Sequence, residues 1–124
     1  MNSLLLVMAG GAIGAGARHL VGRVMLGWLG PGFPWWTLSI NIAGGLLMGL
    51  LAGLLLRFAL GDPWRLFLGV GVLGGFTTFS SFSLEAVTLV QRGQAAAAAG
   101  YVLASVAGAI LALVAGLAAA RSLA

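Results

Sequence analysis

Cysteine is absent from the 124 residues. Without it there is no disulfide, no thiol nucleophile and no zinc site built on sulfur. Acidic residues are nearly missing as well: Asp62 and Glu85 are the only carboxylates, and His19 is the one histidine. Asp62 precedes Pro63, where an Asx-type turn is the expected role. The chain shows no Ser-His-Asp set and no metal-ligand spacing, so it is not expected to be an enzyme. Charge of either sign is scarce, at 6% of residues, whereas a soluble domain carries about 25%. A chain this poor in charge cannot coat a water-facing surface, which implies an all-α integral membrane protein.

What is present fits that class. The sequence is 61% hydrophobic, and four runs are long enough to cross a bilayer, roughly residues 3–28, 35–56, 66–90 and 95–120; each crossing needs about 20 apolar residues. They form one transmembrane domain over residues 1–124. The connectors GWLGPGFP (27–34), RFALGDPWR (57–65) and QRGQ (91–94) hold prolines, glycines and most of the charge. Trp28, Trp35, Trp36 and Trp64 fall at predicted membrane edges, where an indole is half wet. The first run lacks a basic leader and an A-x-A site, so it reads as a retained helix. The arginines are scattered and form no patch for nucleic acid. With four spans, Arg57, Arg65 and Arg121 share one membrane face against Arg92 and Arg23 on the other. So small a bias leaves two readings open: a weak bias that still sets orientation, or insertion both ways up.

Glycine is abundant, and small residues recur at every fourth position: Gly45, Gly49 and Gly53 in the second run, Gly10 and Gly14 in the first, alternating Ala and Gly from Ala96 to Ala120 in the fourth. Such rows let helix backbones approach closely in lipid. Four helices offer more of this surface than a thin bundle uses, which points to a second copy. Against that background the polar residues inside the spans stand out. Thr37 and Asn41 share one helix face, and so do Tyr101 and Ser105. In the third run Phe76, Phe79 and Phe82 fall on one side beside a hydroxyl row of Ser80 and Ser83. A lone Ser or Thr ordinarily bonds back to its own helix, and Asn41 equally fits an interhelical structural bond; the cluster taken together argues for more. N–H and O–H donors with aromatic ring edges, and no carboxylate ring, suit a small anion with a tight hydration shell. Gly74-Gly75 followed by Thr77-Thr78 disfavours a continuous helix and predicts a third helix broken mid-membrane. Freed backbone groups there would serve as ligands.

Three motifs carry a family resemblance across essentially the whole chain. GGAIGAGARH (10–19), TLSINIAGGLLMG (37–49) and GGFTTFSSFS (74–83) resemble, in order and spacing, those of the Fluc/CrcB fluoride channels. The resemblance implies a four-helix subunit that pairs antiparallel with a second copy, as a dual-topology homodimer with two fluoride pores. It implies that Asn41 is the pore asparagine and that Phe79 and Phe82, but not Phe76, turn ring edges to fluoride. Tyr101 and Ser105 match the hydroxyl track, Thr37 and Glu85 a polar pair near a pore end, and Arg18 a vestibule arginine. Gly74 and Thr77 match residues whose backbone carbonyls hold a structural Na+ at the dimer centre. The chain departs from the pattern at His19, where an aromatic is usual, at Trp36, which replaces a glycine, and at Ala109, where the hydroxyl track often continues.

The resulting expectation is a fluoride channel in a bacterial inner membrane, multi-pass, through which cytoplasmic fluoride leaves passively. A dual-topology drug/proton antiporter of similar size would need a buried carboxylate in the first helix, which has none. A membrane-assembly subunit without transport would account for the glycine rows but not for the polar cluster of the third helix.

Overall fold

The computed structural model describes residues 2–123, and every regular element among them is helical. Helix α1 runs Ser3–Leu29 and α2 runs Trp35–Arg57. The third span is composite: α3 (Asp62–Trp64), a π-helical segment (Arg65–Leu73), α4 (Gly74–Phe76) and α5 (Phe79–Gln91). Helix α6 runs Ala95–Ser122. Four helical runs are long and apolar enough to cross a membrane, the third reckoned as Asp62–Gln91.

Local chemistry sets the ends. Asn2 caps α1, its Oδ1 accepting from the Leu4 amide at 2.8 Å, as an N-cap asparagine does. Gly30, at φ +75°, closes α1 with its N–H on the Leu26 carbonyl, a conformation that favours glycine. Gly93 does the same work at φ +77° in the turn before α6. The third span starts earlier than the apolar pattern predicts. Pro63 is tolerated in a first turn because its missing N–H would be unpaired there anyway. Asp62 therefore heads this span, and its Oδ1 accepts from Arg65 Nε at 3.1 Å.

The small-residue rows bring backbones together within the subunit. α2 lies along α6, and α1 lies along the π-helical segment. A Cβ on Gly49 would strike the Leu113 carbonyl, and one on Gly116 the Leu46 carbonyl. A Cβ on Gly14 would strike the Val72 carbonyl. Gly22 and Gly100 have open space instead, so the rows are not packed along their whole length within one subunit. Phe82, Leu89, Ala98 and Tyr101 form a buried apolar cluster, with Phe33 and Leu38 packed against it.

Gly74 and Gly75 stay helical. The extended residues are instead Thr77 (φ −83°, ψ 160°) and Thr78 (φ −152°, ψ 125°). The glycines serve close packing: a Cβ on Gly75 would come within 2.6 Å of the Gly11 carbonyl oxygen. The Thr77 amide still donates to the Leu73 carbonyl at 3.0 Å, whereas a side chain from α2 supplies other partners for the backbone of Thr78.

Candidate functional site

That side chain is Asn41. Its Nδ2 donates to the Thr78 carbonyl at 3.0 Å, and its Oδ1 accepts from the Thr78 amide at 2.9 Å. The Asn41 side chain thus gives the Thr78 amide an acceptor in place of a helical carbonyl and adds a donor to the Thr78 carbonyl. Thr78 also caps α5, its Oγ1 accepting from the Ser81 amide at 3.2 Å. On the other side Arg18 Nε donates to the Gly75 carbonyl at 3.1 Å. The regular helical donor for that carbonyl is the amide four residues on. By the same rule Gly74 O would receive Thr78 N–H, now held by Asn41, and Thr77 O would receive Ser81 N–H, now held by Thr78 Oγ1. Residues from α1, α2 and the third span converge here, each satisfying a backbone group that a continuous helix would satisfy alone.

Around this point lies a cleft of about 370 Å³, lined by Asn41, Thr77, Thr78, Phe79, Phe82 and Ser105 among others. Ser105 is 5% exposed, and its Oγ has no hydrogen-bond partner. A buried hydroxyl left unpaired costs about 1–3 kcal/mol. Phe79 is 75% exposed and Phe82 6%. Their rings lie 5.4 Å apart at 45°. Ala109 follows Ser105 along the cleft and offers no side-chain donor.

A second cavity, about 350 Å³, is lined by Arg18, His19, Arg23, Thr37, Thr78 and Glu85 among others. Tyr101 is fully buried and lines neither cavity; its hydroxyl donates to Glu85 Oε1, on the wall of the second, at 3.2 Å. Phe82 packs on one side of the tyrosine at 5.2 Å and Phe33 meets it edge-on at 5.4 Å. Thr37, also buried, faces the second cavity.

Other residues singled out from the sequence lie outside the two linings. Ser80 lines neither cavity; its hydroxyl lies 3.4 Å from Thr78 Oγ1. Ser83 Oγ turns back onto the Phe79 carbonyl at 2.9 Å, the local bond a helical serine ordinarily makes. Gly74 lies outside both linings, on the helical side of the threonines. Two residues had no individual role in the sequence reading. Phe33 looked like a loop residue, and only its prolines on either side hint at a fixed place. Thr78 was one hydroxyl among several, though a threonine three residues before Ser81 is where an N-cap would sit.

These features meet in a pattern found elsewhere. Residues 5–117 match the family described as CrcB-like protein, Camphor Resistance (CrcB). The chain belongs to the CrcB family. Among its relatives, a protein of Sphingopyxis alaskensis is 64% identical over 99% of this chain and 98% of its own. Relatives in Phenylobacterium zucineum (57% identical over 98% of this chain and 97% of theirs) and Erythrobacter litoralis (56% over 100% and 96%) are equally complete. All three are named fluoride-specific ion channel FluC. Four membrane-length helices and channel relatives of matching length make this CrcB chain a multi-pass membrane protein.

Proposed function

We propose that the chain is a subunit of a fluoride-specific channel that lets cytoplasmic fluoride leave a bacterium passively through its inner membrane. One observation carries this reading: the unpaired, buried Ser105 hydroxyl faces a cleft that also holds Asn41 and two phenylalanine rings. Asn41 spends one N–H on Thr78, and a side-chain amide has two. The cleft thus presents an O–H, an N–H and positive ring edges, with no carboxylate on its wall. Such a lining replaces the water of a small anion and offers a cation little. The relatives' names state the same substrate.

The cleft is open on one side, where Phe79 is largely uncovered. In this reading a second copy, antiparallel to the first, covers it and completes two pores, with Phe79 and Phe82 turning edges to fluoride. Thr37, Glu85, Tyr101 and Ser105 carry the ion along the subunit, and Ser80 stands at the margin of that path. Arg18 draws anions into the second cavity while holding Gly75. A structural Na+ is the remaining part. Gly74 and Thr77 fit it by donor chemistry: both carbonyls have lost their regular helical donors to Asn41 and Thr78. Neutral oxygens without carboxylates suit a monovalent ion better than Ca²⁺ or Mg²⁺, which take six or more oxygens. When bound, such an ion supplies fixed positive charge and ties the two subunits together.

Fluoride-electrode recording of efflux from liposomes carrying the purified protein tests the reading. Rapid fluoride efflux without matching chloride release is expected. Proton-coupled movement of an organic cation, with no fluoride flux, would overturn it.

A further inference from the structure

Arg92 caps the C-terminus of α5, and among the described residues its side chain makes no hydrogen bond or ion pair. Glu85, Thr88, Leu89 and Arg92 follow at helical spacing and form one stripe of α5. With Pro31 and Trp36 they line a third cavity, of about 150 Å³. The α1–α2 loop and the α5–α6 turn lie at the same end of the bundle, since two spans separate them. This cavity therefore sits where the subunit meets water. Glu85 and Trp36 also line the Arg18 cavity, so Glu85 is approached from two sides, with Trp36 bordering both.

Glu85 poses a problem for an anion path. Its carboxylate accepts from Tyr101 and has no cationic partner among the described residues. A fluoride ion nearing Tyr101 meets that negative charge. Arg92 is the cation in the same cavity, two helical turns or roughly 10 Å along the axis. The space is ample, as one water needs roughly 10–15 Å³ of it.

We propose that this small cavity is the mouth through which fluoride passes between water and the pore at this end, and that Arg92 is the positioning residue that offsets Glu85 there. The proposal rests on the fluoride-channel reading. Acting over about 10 Å through water-rich surroundings, one charge changes the local anion concentration about two- to fourfold. Screening with a length near 8 Å at physiological salt erases most of that, while dilute salt preserves it.

The test is fluoride efflux from liposomes of the full-length protein at low and high ionic strength. Arg92→Gln should slow efflux about two- to fourfold at low ionic strength and match the unaltered protein at high. Arg92→Lys should keep the normal rate at both, because it restores the charge. Thr88→Phe, which fills the cavity, should slow efflux at both. Equal rates for Arg92→Gln and the unaltered protein at low salt would overturn the role of Arg92, as would a loss independent of salt. A folded Thr88→Phe protein with a normal rate would overturn the mouth. If the unaltered protein passes no fluoride at all, the channel reading itself fails, a result distinct from these.

Discussion

Asn41 has two duties that draw on the same amide. Its oxygen and one N–H hold Thr78 extended, and the remaining N–H is available to the cleft. Aspartate would keep the acceptor for the Thr78 amide but set a carboxylate oxygen against the Thr78 carbonyl. Asn41→Asp is therefore expected to abolish fluoride efflux and to lower stability by about 1–3 kcal/mol; undiminished efflux would remove Asn41 from the pore. Ser105 gives the opposite pattern. Its hydroxyl has no partner in the fold, so Ser105→Ala should leave the melting temperature unchanged or slightly higher while efflux falls. Paired losses of stability and flux would mean that the hydroxyl serves structure instead.

At the scale of elements, the third span is held by what surrounds it. Thr78 Oγ1 starts α5 and draws the Ser81 amide away from Thr77. Thr78→Ala removes an N-cap worth about 1 kcal/mol, and Thr78→Ser restores its oxygen. Thermal melting of the purified protein should show the alanine variant destabilised and the serine variant close to normal. Slower fluoride flux should follow the alanine variant alone. The glycines upstream serve another element: Gly75 sits tightly against Gly11 so that α1 can lie along this span, close enough for Arg18 to reach the Gly75 carbonyl.

For the whole molecule, orientation and assembly are the open quantities that experiment can read. Arg65 is partly offset by Asp62, which weakens an already small charge difference between the two membrane faces. Tags at the C-terminus should report from both sides of the membrane in one population. Two lysines added to the 58–61 connection should drive the mixture towards loop-inside. Full activity from a single forced orientation would exclude antiparallel pairing. If Na+ ties two subunits together, purification in a large organic cation should weaken the dimer, measured by its elution as monomer. A dimer that withstands this exchange would argue against a structural ion.

Composition and apolar run length alone determined the class of this protein and its four spans, because burying a backbone in lipid demands helices of a set length. The spacing of small residues marked faces able to approach another helix closely; within the subunit they are filled at Gly14, Gly49 and Gly116 and open at Gly22 and Gly100. The candidate site was legible only as a set of residue types. Asn41, Phe79, Phe82, Tyr101 and Ser105 stood out as polar or aromatic groups where lipid-facing residues would be expected. Their pairing was not legible. Gly74-Gly75 and Thr77-Thr78 together looked like the point where the helix gives way; the glycines stay helical and the threonines are extended, with Asn41, 37 positions from Thr78 in the chain, bonded to the Thr78 backbone. Ser83 had seemed part of a hydroxyl row, yet its Oγ bonds back to the Phe79 carbonyl, while that of Ser105 is buried at the cleft without a partner. The sequence did not show that Arg92 shares a cavity with Glu85. Such choices depend on which side chain from another helix satisfies a freed backbone group, and only the packed bundle brings those partners within hydrogen-bond distance.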